Sequence, residues 1–515
     1  MNYDPTMLDI GHTKQIFVDD LVVESVENVC RTWHQPARHS ETPVITKDRA
    51  WEQITYFTFN GSQVIRDPSD GLFKCTYQIW NPGTQPGVPP AFHLLYAVSE
   101  DGVLWRKPAV GVFKHGDQDT NIVIPNAYGM TYVLDPHEKE PSRRFKAIYL
   151  RYRPKKLFEA SWEVMAATSG DLVHWTDMPE RPQMGRAGSR MDDSNALSYD
   201  SAGRIFILNM RHHNMYAIAR NLDNPVLEKW SICPPYYPLD WRRINKRRTW
   251  QTESADMLHW SEPYSVFTPT DGEDGLDETY YGFCQFPAGG VRLGFLNTMS
   301  YVSNTICTRL VYSRNGKTWR QLNNRQPFLA PRGEGNWDAH MVTVSHAPIE
   351  IGGELYIYHG GSPNHHDWWI TGAQEGLNVP EATEITKVKY ALGLAKMRLD
   401  GFVSLDAGPT RRGILVTRPL ISDGRRLTAN IRCHEGGSVA AEIVNLRDEV
   451  IPGYGRHECD IFTGDAVQHT FSWKGKTELP AVPTEPAQYP KPEFERFRKI
   501  RFFMEKAELY SFALA

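Results

Sequence analysis

Ser99-Glu-Asp-Gly-Val-Leu-Trp105 returns three more times along the chain, as Ser169-Gly-Asp-Leu-Val-His-Trp175, Ser254-Ala-Asp-Met-Leu-His-Trp260 and Ser313-Arg-Asn-Gly-Lys-Thr-Trp319. Each copy has a Ser, an Asp or Asn two residues later, and a Trp at the sixth position after the Ser. The spacing predicts a tight turn between strands: the Asp or Asn side chain caps it, a Gly where present takes positive φ, and the Trp packs the returning strand onto its sheet. A related turn, Arg398-Leu-Asp-Gly-Phe402, puts Phe in place of Trp. The serines lie 59 to 85 residues apart, room for one four-stranded antiparallel sheet and generous loops per unit. Repeats of this kind read as propeller blades, and five turns before about residue 405 imply five.

Between the turns, short runs rich in Val, Ile, Tyr, Phe and Thr recur, among them 71–80, 143–152, 203–210 and 353–361, and long helical periodicity is hard to find. The chain reads as all-β. After Asp406 the texture changes to period-two alternation with no further Trp turn, broken by a Pro-rich loop from Pro480 to Pro492. The expected organisation is a five-bladed β-propeller over residues 1–408 and a β-sandwich over 409–515.

Composition narrows the function. With 57 Lys and Arg against 61 Asp and Glu, a net charge of −4 gives no basic excess for a phosphate backbone, which argues against a nucleic-acid partner. No stretch approaches 18 consecutive apolar residues, so no membrane span is expected. The opening residues lack the basic and apolar regions of a secretory signal, and the seven cysteines are odd in number and dispersed. Free thiols in a cytoplasmic protein are the expectation. The 15 Trp and 23 Tyr suit surfaces that stack on ring-shaped ligands. Neither a phosphate-binding Gly-rich loop, nor H-E-x-x-H, nor G-x-S-x-G is present.

In a propeller the innermost strand of every blade lines the central channel, so residues where those strands begin converge on one funnel. Five such starts carry an acid or an amide: Trp51-Glu52, Asp119-Thr-Asn121, Asp192-Asp193-Ser-Asn195, Asp277-Glu278-Thr-Tyr280-Tyr281 and Trp337-Asp338-Ala-His340. Carboxylates around one concave pocket suit general acid/base work at a glycosidic bond. Asp193, Glu278 and Asp338, with Glu52 as the fourth, are the catalytic candidates. Glu278 is the preferred acid, since Asp277 and the two tyrosines favour its protonated form. Asp193, beside Asn195, is the preferred nucleophile or base. Asn121, Arg190, Asn195, Tyr280, Trp337, His340, His365, His366 and Trp369 are the candidate substrate contacts. Arg211 flanks the third inner strand as a further clamp, and the basic run Arg242–Arg248 reads as a solvated loop. No metal site or cofactor is called for, a structural cation in the channel being the one addition compatible with the pattern. Oligomeric state is not legible.

These residues resemble the five-bladed propeller glycoside hydrolases, and within them the bacterial family-32-like proteins that pair the propeller with a C-terminal β-sandwich. The match rests on Ile16-Phe-Val-Asp19-Asp20, Trp33-His34-Gln-Pro36, Trp51-Glu52, the Trp turns, Gly335-Asn-Trp337-Asp338, Tyr358-His-Gly-Gly361, the passage from Gly393 to Ser404, and Glu508-Leu-Tyr-Ser-Phe512. It covers essentially the whole chain. The resemblance implies a glycosidase acting on a short oligosaccharide or glycoside, exo-acting and with a furanoside such as a fructoside or arabinoside favoured. The alternative is a non-hydrolytic sugar-binding protein, a phosphorylase or a lyase on the same architecture. Two departures stand out. The W-M-N-D-P-N-G signature of invertases is absent, its nearest string, Arg66-Asp67-Pro68, reading as a hairpin turn. Glu458-Cys459 is similar to the fructosidase acid motif but lies beyond the propeller.

Overall fold

The computed structural model describes residues 7–58, 61–81, 91–156, 159–184, 191, 194–212, 247–270, 272–275, 277–300, 303–366, 387–445, 447–480 and 497–515. Asp193, Arg190 and Trp369 lie outside these residues. Among the described residues there is no α-helix, only strands and short 3-10 turns. No helix among them is long and apolar enough to cross a membrane.

Five antiparallel meanders follow one another along the described residues, the fourth and fifth joined into one sheet by a parallel pairing of Ile306 with Met341. The first runs from Ile54–Tyr56 and Ser62–Arg66, both paired with Phe73–Asn81, through Ala91–Ser99 to Ile122–Pro125. The second is Ala127–Leu134, Phe145–Lys156, Glu159–Ser169 and Trp175–Asp177, and the third Asn195–Asp200, Ile205–His212, Arg248–Ser254 and Tyr264–Phe267. Glu278–Ala288, Val291–Ser300 and Thr305–Ser313 begin the fourth, which Arg320–Gln321 and Pro327–Leu329 complete. The fifth contains Met341–Thr343, Glu354–Ser362 and Ala391–Arg398, and its last place is taken by Ala37–Arg38 from the other end of the chain. An edge that would otherwise be open is thereby paired.

The first strands of successive meanders touch one another in a cycle. Gln63 bonds the Tyr132 backbone, and Thr131 Oγ1 accepts the Leu197 N–H at 2.8 Å. A Cβ on Gly282 would stand 2.4 Å from Ser194 Oγ, Cys284 Sγ faces the Val344 carbonyl at 3.9 Å, and the Val64 N–H points at His346 Nε2. The fifth strand thus meets the first.

All four Trp turns are the same device. Each Ser ends the third strand of its meander, and its Oγ accepts the N–H three residues on, at 2.9 to 3.0 Å. The Asp or Asn carries the next two N–H groups, and the indole donates to the carbonyl three residues back. The residue at positive φ is Gly102 or Gly316 in two copies but Leu172 (φ 71°) and Met257 (φ 70°) in the others. A left-handed non-glycine costs about 1–2 kcal/mol. Full burial of Leu172 and Met257, 0 % and 1 % exposed, returns roughly 1.5–3 kcal/mol and offsets it. The Asp400 turn differs: its carboxylate takes Lys14 and Ser511 at 2.7 Å instead of its own backbone.

That contact belongs to a ten-stranded sheet that gathers both ends of the chain. Phe497–Leu514 pairs with Leu427–Val444, Gly413–Thr417, Val403–Ala407 and Gln15–Ile16, while Val23–Glu27 and Val29–Trp33 pair with Gly413–Thr417 and Val403–Ala407. Strand pairing therefore crosses the sequence boundary expected at 408. Residues 8–33 read as part of the first domain because their partners lie about 370 to 500 positions away, beyond the reach of any local pattern. The core of this sheet holds Phe17, Phe471, Trp473, Phe502 and Phe512.

Asp67 of the Arg66-Asp67-Pro68 string is fully buried. Its oxygens take both terminal nitrogens of Arg144 at 2.5 and 2.6 Å and Lys74 Nζ at 2.6 Å, tying the first meander to the second. Burial acts to raise its pKa, and the Arg144 and Lys74 bonds outweigh it and hold the carboxyl well below the usual range. The stability it contributes is therefore fully present above the ordinary value of about 3.9 and is lost as the pH falls below it. Asp67→Asn should lower stability at pH 7 by about 3 kcal/mol in urea. Between pH 4.5 and 2.5 its stability should fall less steeply than that of the wild type, and parallel slopes would count against the pairing.

Candidate functional site

Glu52 closes the loop before the first strand of the first meander. Its carboxylate accepts the N–H groups of Asp48 and Arg49 at 2.8 and 3.0 Å, the Tyr77 hydroxyl at 2.5 Å and Lys107 Nζ at 2.8 and 2.9 Å. The side chain is 0 % exposed. Asn121 belongs to the same cluster, donating to Tyr77 and the Tyr96 carbonyl and accepting from the Trp51 indole.

Asp338, also 0 % exposed, lies between two guanidinium groups, with Arg38 Nε and Arg332 Nε each at 2.7 Å from one of its oxygens. Arg38 also holds the Ala330 carbonyl. Beside the pair, His359 stacks under Trp337 at 5.6 Å, and burial first, then Arg38, pushes its pKa down to about 3. Trp337 is wedged against two glycines: a Cβ would come within 2.4 Å of its ring at Gly361 and 2.7 Å at Gly393. Both carboxylates thus have their oxygens occupied by their own cations.

Glu278 is different. It is the first residue of Glu278–Ala288, accepts the Gly275 N–H and Arg309 Nη2 at 2.6 Å, and keeps 24 % of its side chain exposed. The sequence placed Tyr280 and Tyr281 as apolar cover for it. Tyr280 instead turns into the fourth meander among Phe267, Phe283 and Trp319, its hydroxyl donating to Asp274 and accepting from Gln321. Tyr280 is 2 % exposed, which corrects its expected role as a substrate contact.

A register shift between Tyr280 and Gly282 leaves Tyr281 as the extra residue, and a bulge of this kind re-aims a side chain. Around Tyr281 several distant segments meet. The Arg211 and Arg247 guanidinium carbons lie 4.1 and 4.6 Å from its ring centroid, and its hydroxyl is 2.7 Å from His366 Nε2. Arg211 is tied by its N–H to Ser194, next to Asn195, and His366 by its N–H to the Asn304 carbonyl. His340 stacks on His365 at 3.7 Å and reaches Glu334 at 3.2 Å. The histidines expected near the mouth are thus together. Arg247 was read as part of a solvated basic loop, but it is 2 % exposed, because Tyr281 presents an aromatic face that a guanidinium can cover. Composition alone carries no signal for that.

Each carboxylate environment sets a different cost for neutralisation. Glu52→Gln leaves the buried Lys107 ammonium short of its partner and should lower stability by about 3–5 kcal/mol, whereas Asp338→Asn leaves two partly exposed guanidinium groups, Arg38 and Arg332, and should cost about 1–3 kcal/mol. Glu278→Gln should cost about 1 kcal/mol or less, its ion pair being partly solvated. Urea midpoints measure all three, and a Glu52→Gln protein as stable as Glu278→Gln would sink the distinction.

No protein-family model and no curated protein matches the chain. Solved structures are similar to it at low identity. An N-acetylgalactosamine deacetylase from F. plautii, in complex with blood group B trisaccharide, is 14 % identical over 72 % of this chain and 96 % of that one, with a TM-score of 0.43. A thermostable family-43 glycoside hydrolase is 12 % identical over 68 % and 93 %, TM-score 0.41. A structure from the family-130 mannoside phosphorylases, a family described as containing glycoside hydrolases that target β-1,2 mannosidic linkages in Candida mannan, is 11 % identical over 71 % and 94 %, TM-score 0.40.

Proposed function

We propose that the five meanders are the blades of one propeller and that the chain is a carbohydrate-active enzyme, a glycosidase that works where the first strands begin. What supports the propeller is the closed cycle of contacts between those strands, through Gln63, Thr131, Ser194, Cys284 and His346. The contacts fall within or beside the first strands, Ser194 just before Asn195–Asp200 and His346 just after Met341–Thr343. The ten-stranded sheet stands as the second, sandwich-like unit that holds both chain ends.

The observation that carries the chemistry is Glu278: a carboxyl at a strand start, oriented by Arg309 and Gly275 yet partly open, three residues before the bulged Tyr281 with its His366 and arginine partners. Glu278 is the proton-transferring group of this reading, and Asp193, at the start of the third first strand in the sequence, is its partner carboxylate. Glu52 and Asp338 are held within their cation pairs and do not handle protons. A furanoside remains the favoured substrate class.

A second reading is favoured by one observation. Two buried guanidinium groups on Tyr281 suit an anionic co-substrate, and with inorganic phosphate as the attacking group the products would be a glycosyl phosphate and the free aglycone. Aglycone release from a panel of nitrophenyl glycosides, with and without phosphate, separates hydrolysis from phosphorolysis.

Glu278→Gln should lower turnover of unactivated oligosaccharides by at least about a hundredfold. Aryl glycosides with good leaving groups, which need no proton, should stay within about tenfold. Unchanged turnover of the unactivated substrates would remove Glu278 from the mechanism.

A further inference from the structure

Outside the Tyr281 cluster a cavity of about 510 Å³ opens on the first meander, within the 300–1,000 Å³ typical of small-molecule sites. Its wall comes from three loops: Asp48, Arg49 and Trp51 before the first strand, Lys107 after the first Trp turn, and Gln118, Asp119 and Asn121 before Ile122–Pro125. We propose that this cavity is a second carbohydrate-binding site, for a neutral sugar unit stacked on Trp51 and distinct from the site of bond cleavage.

Charge balance argues for a neutral ligand. Asp48 and Asp119 stand against Arg49 and Lys107, and the Lys107 ammonium is already taken by Asp48 at 2.6 Å and Glu52 at 2.8 Å. A phosphate or uronate would meet two carboxylates and no cation without an acid beside it, since Arg49 pairs with Asp48 at 3.8 Å, and a cationic ligand would meet two cations with Asp119 already paired to Lys114 at 3.8 Å. A neutral polyol can use every group: amides and carboxylates for its hydroxyls, an indole for its apolar ring face.

Preorganisation supplies the second argument. The Trp51 indole N–H is fixed on Asn121 Oδ1 at 3.0 Å, and Asn121 is itself held by Tyr77 and Tyr96. Lys107 has a 5 % exposed side chain and carries the Thr46 carbonyl as well as its two carboxylates. Groups locked before a ligand arrives do not charge their ordering entropy to binding. The cluster also explains why a carboxylate as costly to bury as Glu52 sits beneath the loop: it holds both Lys107 and the Asp48 and Arg49 backbone that form the wall.

The test uses the full chain as Glu278→Gln, so that bound sugar is not consumed, on an array of neutral and acidic oligosaccharides, with calorimetric titration of the best neutral binder. Adding Trp51→Ala should weaken that binding at least tenfold and Gln118→Ala about threefold or more. In the otherwise native enzyme Gln118→Ala should leave aryl-glycoside turnover within twofold. Should Trp51→Ala fail to fold, Gln118→Ala and Asp119→Ala carry the measurement, both residues being exposed in the short hairpin in which Gln118–Asp119 pairs with Lys114–His115. Retention of acidic glycans only, no retained neutral glycan, or undiminished affinity in the variants overturns the site. Trp51-dependent binding in a protein that cleaves no glycoside would sink the proposed activity and leave this site standing, and cleavage without such binding would do the reverse.

Discussion

Ala37–Arg38, two residues near the start of the chain, pair with Ala395 and Lys396 of the last meander, and the described arrangement depends on that contact. Without it the fifth meander would end in an open edge, and the cycle of first-strand contacts would have no fixed closing point. Arg38 adds a side-chain lock to the backbone pairing. Its guanidinium reaches Asp338 and the Ala330 carbonyl, so the closing strand also holds the loop that carries Trp337 and leads to His340. A buried ion pair gains little over a well-packed apolar contact, but it is unforgiving of a missing partner. Here that asymmetry favours the closed state over any arrangement in which Asp338 is buried without Arg38.

The same logic recurs wherever sheets meet. Asp67 joins the first meander to the second through Arg144, and Asp400 joins the last meander to the ten-stranded sheet through Lys14 and Ser511. These are carboxylates placed at junctions, where strand pairing alone gives no adhesion between neighbouring sheets. A sequence rich in Asp at strand ends can therefore be read as a ring of catalytic acids or as a set of structural pins. Exposure differs among them: Glu52, Asp67 and Asp338 have no exposed side-chain surface, whereas Glu278 has 24 %.

The Trp turns were legible because every bond in them lies within seven residues. Ser, Asp and Trp each act on backbone groups of their own turn, so spacing and geometry are the same information. Leu172 and Met257 show the limit even there, since their left-handed backbone is tolerated only because neighbouring strands bury their side chains. Four of the five strand starts were legible, Glu52, Glu278 and Asp338 standing at or just before first strands and Asn195 beginning one, but Ile122–Pro125, expected as an inner strand after Asn121, is the last strand of the first meander, and the second begins at Ala127.

From sequence alone came the all-β class, the repeating turn and the set of acids and histidines near the strand starts, all of which follow from local hydrogen bonding and side-chain period. Only the tertiary structure decided which partner each acid takes, because that partner is distant: Lys107 lies 55 residues from Glu52, and Arg38 lies 300 from Asp338. It likewise decided that Tyr281 and not Tyr280 faces the arginines, since one extra residue in a strand reverses which side a chain segment presents. The pairing of residues 8–33 with the C-terminal strands has the same origin. A β-sheet is built from contacts whose energies depend on separation in space, and nothing in the order of residues along the chain encodes that separation directly.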